Sequence, residues 1–273
     1  MTVVIIICAV VDVAVDTFGV IFVGHKFSPP DIIICCGDLF IPKGEHMSIF
    51  TIGDLHLSLS CDKPMDVFPG WSDYLSRITE SWKSQVADSD TVVIAGDISW
   101  AMSLEQSLAD FSYIHSLPGK KLIIKGNHDY WWNSRRKMED FFEKNGLNTI
   151  GILHNSFVEA EGVALCGTRG WSLEDTSPLD KKVIAREEGR LRASLEAAKP
   201  SGLEPIVFLH YPPVYGDGIS AGIIDIMREY GVKRCFYGHL HGPSCRMAFT
   251  GEYLGINFEL ISADHLGFCL KRL

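Results

Sequence analysis

Ile49-Phe50-Thr51-Ile52-Gly53-Asp54-Leu55-His56 sets four β-type residues directly against a glycine, an aspartate and a histidine. Branched and aromatic residues in so short a run favour a strand, and the glycine is where the run can turn. The polar pair therefore stands where a strand runs out into a loop. The same grammar recurs four more times. Thr91 to Ala95 runs into Gly96-Asp97, Leu122 to Lys125 into Gly126-Asn127-His128-Asp129, Ile206 to Leu209 into His210, and Arg234 to Tyr237 into Gly238-His239-Leu240-His241. Chemistry in α/β proteins collects at such strand ends. Asp54 and His56 are two residues apart, as are His239 and His241, and on an extended segment such a pair faces one way and can grip one ion.

Helical periodicity fills the intervals, over Trp71 to Ala87, Leu104 to His115, Ser134 to Asn145, Asp180 to Ala198 and Ile219 to Tyr230. The stretch from Cys245 to Leu270 reads as several antiparallel strands, with Gly251 and Gly255 as turn points. Periodicity alone thus gives an α/β protein. Gly170 to Pro178 and Tyr211 to Gly218 read as loops bordering a cleft, where substrate choice would be set.

The residue types at the strand ends suit metal ions. A carboxylate has two oxygens and can span two cations; imidazole suits manganese, iron, zinc or cobalt, and the amide oxygen of Asn127 adds a neutral ligand. Magnesium fits less well with so many imidazoles. Two divalent ions leave a locally cationic pocket, so an acidic protein can still bind a phosphoryl group there. The glycines at 53, 96, 126 and 238 let the backbone turn and approach such ions closely.

With these five blocks in this order, the chain resembles the calcineurin-like metallophosphoesterase family from Met47 to about the C-terminus. The resemblance implies a four-layer αββα sandwich. It implies that Asp54, His56 and His241 hold one divalent metal, that Asn127, His210 and His239 hold the other, and that Asp97 bridges them. It also implies a catalytic His128 over the leaving group. The expected activity is hydrolysis of phosphate mono- or diesters by in-line attack of a metal-bridging hydroxide, with two ions drawn from manganese, iron, zinc or cobalt. The alternative is a non-catalytic scaffold of the same fold, against which the complete ligand set argues.

Other polar residues carry weaker signals. Arg169, in Gly167-Thr168-Arg169-Gly170-Trp171, is the outside candidate for gripping a substrate phosphate, because small neighbours suit a tight loop near a ligand. Arg135 and Arg136 read as a solvated helix face. Asp129 either orients an imidazole or caps the following helix. His25, His46, His115, His154 and His265 read as surface or satisfied core residues, and the six tryptophans as core packing and cleft walls.

The chain has 273 residues, 47% of them hydrophobic, enough for one substantial core, and its formal charge of -9 argues against general affinity for nucleic acid or anionic membranes. The expected partner is a small-molecule phosphate ester. Eight cysteines without a Cys-x-x-Cys pair suggest reduced thiols and a cytoplasmic protein. Residues 1–46 differ from the rest. Val3 to Val23 is apolar, but the gain of about 4 to 8 kcal/mol from membrane insertion is offset by about 5 to 7 kcal/mol for Asp12 and Asp16. No basic n-region precedes it, and Ile32 to Asp38 mimics a strand ending in Gly-Asp that nothing completes. The expectation is that 1–46 is a start-site artefact, that 47–273 is the metallophosphoesterase domain, and that no stable membrane association occurs.

Overall fold

The computed structural model describes residues 47–171 and 178–273. The expectations for 1–46, Asp38 included, and for most of the loop from Gly170 to Pro178 lie outside the described residues.

The first half of the chain alternates β1 (Ile49–Ile52), α1 (Tyr74–Gln85), β2 (Thr91–Ile94), α2 (Leu108–Ser116), β3 (Lys120–Ile123), α3 (Arg135–Lys144) and β4 (Ile150–Ile152). The second half runs β5 (Phe157–Ala160), β6 (Val163–Thr168), α4 (Pro178–Ala198), β7 (Glu204–Leu209), β8 (Val214–Tyr215), β9 (Gly218–Ile219), α5 (Ala221–Glu229), β10 (Arg234–Tyr237), β11 (Gly251–Tyr253), β12 (Ile256–Leu260) and β13 (Lys271–Arg272). Two larger sheets result, ordered β13-β1-β2-β3-β4 and β11-β12-β10-β7-β6-β5, with β8 and β9 as a separate hairpin. β1 to β4 pair in parallel, as do β12, β10, β7 and β6, while β13, β11 and β5 join antiparallel at the edges.

Successive side chains on a strand point to opposite faces, so a strand buried on both sides is apolar throughout. In β2, Val92 and Ile94 enter a core with Ile78, Phe111 and Phe142 of α1, α2 and α3, whereas Val93 faces the other way. In β7, Val207 and Leu209 enter a core with Leu191 and Ile224 of α4 and α5, while Ile206 and Phe208 face the other way. The faces turned away meet each other: Ile49, Val93 and Leu122 pack with Leu165, Phe208 and Phe236. Three cores separated by two sheets make four layers, helix, sheet, sheet, helix, as the resemblance implies.

The elements read from sequence differ at several points. Ile219 belongs to the β8–β9 hairpin, which also occupies part of the loop from Tyr211 to Gly218, and α5 starts at Ala221. The stretch from Cys245 is only partly antiparallel. Cys245 lies in a 3-10 turn over Gly242–Met247, β12 runs parallel to β10, and β13 crosses to the other sheet. Beyond the strand ends, Gly53 N–H donates to Ile261 O (2.7 Å) and Ala263 N–H to Gly53 O (3.0 Å), stitching β1 to the segment after β12.

Lys121 lies on the helix side of β3 and is fully buried, unexpected for so polar a residue. Its ammonium donates to the carbonyls of Leu117 (2.5 Å), Gly119 (2.9 Å) and His115 (3.4 Å) where α2 ends, a place whose unpaired carbonyls favour a cation. Burial pushes its pKa down to about 8. Lys121→Met is expected to destabilise by about 1–3 kcal/mol at neutral pH, because it leaves buried carbonyls without a donor. An unfolded lysine titrates near 10.4, so between about pH 8 and 10.4 the unfolded chain binds the extra proton and the cost of burying the charge fades as pH rises. Urea denaturation of both proteins across that window should show the gap between them widening in favour of Lys121. A constant or narrowing gap would refute this account.

Candidate metal centre

Each strand-end motif delivers its side chains to one place. Asp54 and His56 follow β1, Asp97 follows β2, and Asn127 and His128 follow β3, while His210 follows β7 and His239 and His241 follow β10. The local backbone is not the extended one that the two-residue spacing suggested. Asp54 (φ 59°), His56 (46°), Asp97 (49°) and His239 (75°) are all left-handed, a conformation that costs of order 1–3 kcal/mol in a residue with a Cβ. It is held by hydrogen bonds between the first two loops, from Asp54 N–H to Gly96 O, from His56 N–H to Asp97 O and from Leu57 N–H to Ile98 O, each 2.9 Å. The side chains converge through these turns, and His239 and His241 separate into different clusters.

Two clusters have ligand atoms within 4.8 Å of one another, Asp54 with His56 and His241, and Asp97 with His210 and His239. In the first, His56 Nε2 and His241 Nε2 lie 3.2 Å apart and His241 Nε2 lies 3.6 Å from Asp54 Oδ1. Two imidazole nitrogens each about 2.1 Å from a shared ion are about 3.0 Å apart at a right angle and about 3.4 Å at a tetrahedral one, so the spacing suits a cation between them. In the second, His210 Nε2 lies 2.7 Å from Asn127 Oδ1 and 3.5 Å from Asp97 Oδ2. Asp97 Oδ2 is also 3.8 Å from His56 Nε2 and 4.0 Å from His128 Nε2, which puts one carboxylate oxygen between the clusters.

The surrounding contacts fix ring orientation. Nδ1 of His210 is 3.1 Å from Ala95 O, which holds its proton on that side and leaves Nε2 for an ion. Nδ1 of His241 is 2.9 Å from Asp264 Oδ1, and Gly242 N–H donates to Asp264 Oδ2 (2.8 Å). Asp264 was not singled out in the sequence. Asp129 does neither of the two things expected of it. Its carboxylate accepts from Gly126 N–H (2.7 Å), Ile98 N–H (2.8 Å), Ser99 N–H (3.3 Å) and Trp131 Nε1 (3.1 Å), tying the loops after β2 and β3 together.

Electrostatically the donor set is unbalanced by itself. Burial pushes Asp97 up to about 8, helped by the charge of Asp54, while burial pushes His56 and His239 down to about 3. For Asp54 burial raises the pKa, but hydrogen bonding and the charges of His241, His210 and His56 outweigh it and the net direction is down. Burial likewise opposes protonation of His241, yet Asp264 and Asp54 carry it up to about 10. Buried carboxylates and imidazoles frustrated in this way suit divalent cations, which let both carboxylates ionise and the imidazoles stay neutral.

Residues 47–243 match the sequence profile of the calcineurin-like phosphoesterases. The chain belongs to that family. This calcineurin-like phosphoesterase is therefore a metal-dependent phosphoesterase, with two clusters able to hold divalent cations. No curated protein matches the sequence at a significant level. Among solved structures it is similar to TT1561 of Thermus thermophilus, at 11% identity over 83% of this chain and 98% of that one, with a TM-score of 0.51. It is also similar to the phosphopantetheinyl hydrolase PptH from Mycobacterium tuberculosis, at 15% identity over 83% and 95%, with a TM-score of 0.48. At these identities the likeness to TT1561 concerns the fold. Among the described residues no helix is long and apolar enough to cross a membrane.

The remaining sequence candidates separate clearly. Arg135 pairs with Glu139 and Arg136 with Asp140 on an exposed face of α3, as read. His115 is satisfied by Thr149 (2.9 Å). Trp82 and Trp131 are core residues, whereas Trp100 stacks on His56 at 5.0 Å and lies 4.4 Å from His128, and Trp71 packs on His56 and His241. Among the described residues, the ion-pair partner of Arg169 is Glu187 and not a residue of the ligand clusters. Its carbonyl accepts the N–H groups of His210 (3.0 Å) and Tyr211 (2.9 Å), and its guanidinium lies 4.5 Å over the Trp171 ring.

In this phosphoesterase Asp264 is placed to fix the orientation of the His241 ring. Asp264→Asn is expected to weaken metal retention about 10- to 100-fold, the usual consequence of losing a carboxylate behind a ligating imidazole. Metal content after dialysis against a graded chelator series measures this. Retention equal to that of the native chain would show that Asp264 does not orient His241.

Proposed function

We propose that the protein is a binuclear phosphohydrolase acting on a small-molecule phosphate ester. Asp54, His56 and His241 would hold one divalent ion, Asn127, His210 and His239 would hold the other, and Asp97 would serve both. The observation that carries this reading is the position of Asp97 Oδ2, 3.8 Å from a nitrogen of the first cluster and 3.5 Å from one of the second. The chemistry supplied by two ions in such a pair is neutralisation of the phosphoryl oxygens and activation of water as the nucleophile. The protein's part is to orient the donors and to wall the site with Trp71 and Trp100.

His128 is the residue suited to the leaving group. Its backbone N–H donates to Asp97 Oδ1 (2.8 Å), its ring is half-buried beside the bridging carboxylate, and its Nδ1 lies 3.4 Å from the Tyr130 hydroxyl. A positioned imidazole of this kind contributes typically about a hundredfold to ten-thousandfold by protonating a departing oxygen. Manganese, iron, zinc and cobalt all suit the donor set. The five described cysteines are free thiols, in keeping with a cytoplasmic setting.

The test is hydrolysis of p-nitrophenyl phosphate and bis-p-nitrophenyl phosphate after reconstitution with each of the four metals, alongside metal analysis of the loaded protein. Turnover with two ions per chain supports the proposal, and the preferred ester separates phosphatase from phosphodiesterase. Loading of a single ion with full turnover would overturn the binuclear reading. Absence of turnover with every metal would overturn the hydrolase reading.

A further inference from the structure

A cavity of about 510 Å³ is walled by Lys125, Trp132, His154, Arg169, Arg186 and Arg190 among others. Four of these are cations, in a chain whose formal charge is -9. Among the described residues, the carboxylate that two of them share is Glu187. It is buried behind them, bonded to Thr168 Oγ1 (2.6 Å) and to Arg190, with Arg169 3.7 Å away. Among the described residues, no carboxylate lies within ion-pair distance of Lys125 or Arg186, and the buried Nε of Arg169 has no acceptor. Like charges gathered around a concavity repel each other unless an anion enters, and guanidinium groups are the donors that grip phosphate oxygens in pairs.

The cavity shares its walls with the metal loops. Lys125 is two residues ahead of Asn127, a span of at most about 7 Å. Arg169 receives the backbone N–H groups of His210 and Tyr211, and the Tyr211 ring packs 4.3 Å from that of His239. A substrate with one phosphoryl group at the ligand clusters could therefore place a second anion among these cations.

We infer that this cavity seats a second phosphate of the substrate, so that the enzyme prefers phosphate esters carrying another phosphate group to simple monoesters. This rests on the hydrolase reading proposed above. The probes are butane-1,4-diol bisphosphate and butyl phosphate, with the full metal-loaded chain. The native protein should favour the bisphosphate in kcat/KM by about tenfold or more, the worth of one charge-assisted contact or more. Arg186, exposed and with no ion pair among the described residues, can be reversed without disturbing the core, and Arg186→Glu should cut that ratio at least tenfold.

Equal turnover of the two probes, with a ratio unmoved by Arg186→Glu, would overturn the inference while leaving the hydrolase reading intact. If neither probe is turned over, calorimetric binding decides. Tighter binding of the bisphosphate, weakened by Arg186→Glu, supports the cavity, and equal binding refutes it. Binding of inorganic phosphate that depends on Arg186 without any bisphosphate preference would make the site one for free phosphate and overturn its assignment to the substrate.

Discussion

Asp97→Asn is expected to lower kcat/KM by about a thousandfold or more while the chelated protein melts no lower than the native chain in chelator. The two effects have one origin. Asp97 is 1% exposed, on left-handed backbone, and burial together with the charge of Asp54 pushes its carboxyl up to about 8. Without cations it is a strained and unfavourable residue. Asparagine keeps the shape, tolerates the left-handed turn and can still accept from the His128 N–H, but brings no charge to a pair of ions. Relief of about 1 kcal/mol would raise the melting point by roughly 2–4 °C in a domain of this size. Kinetics on metal-loaded protein and calorimetry in chelator measure the two halves. Retained turnover would remove Asp97 from the centre. A large fall in the melting point of the chelated variant would make its role structural.

Gly126→Ala should be nearly as damaging, for a reason of space alone. A Cβ at Gly126 would stand 2.1 Å from Asp97 Oδ1 and 2.2 Å from the Asp97 nitrogen, well inside van der Waals contact. One of those atoms is backbone, so the two loops must separate. Overpacking of this sort costs about 1–3 kcal/mol, and displacement of a reacting group by about 1 Å can cost about a hundredfold in rate. Gly53→Ala is the internal control, because its Cβ would meet nothing nearer than Ile261 O at 3.4 Å. The expected result is loss of at least about a hundredfold in kcat/KM for Gly126→Ala and near-native activity for Gly53→Ala. Equal activity of the two variants would show that the loops do not need the close approach.

The strand-end grammar carried most of what was legible. β1 and β10 fall on the runs read from sequence, and the ligand-bearing loops begin where the apolar residues stop. β3 begins two residues earlier than read, because Lys120 and Lys121 look like a polar turn and only the end of α2 makes a buried lysine acceptable there. β4, β5 and β6 were not named. Ile150-Gly151-Ile152 is too short to show a period, and Phe157–Ala160 carries a glutamate on an edge strand.

The centre was legible as a set of residues and illegible as a geometry. Two-residue spacing named Asp54 and His56 correctly as neighbours, but they meet through left-handed turns and not on an extended segment. Asp264 had no local signal. It sits in Ser262-Ala263-Asp264-His265 without a glycine, and only its place just beyond β12, where Ala263 bonds to Gly53, brings it to His241. The basic cavity was visible only through Arg169. Arg186 and Arg190 belong to a charged helix, and nothing in the order of residues tells which of its faces closes a cavity.

The two sheets are built from nearly separate halves of the chain, and the candidate ligands divide along the same line. Asp54, His56, Asp97 and Asn127 follow strands of one, and His210, His239 and His241 follow strands of the other. A cation held between them would be a bond that forms only once both halves have docked, and contacts that form after the transition state stabilise by slowing unfolding. Metal should therefore leave the rate of folding almost untouched and slow the rate of unfolding, so that loss of metal is the first event on the way to the unfolded chain.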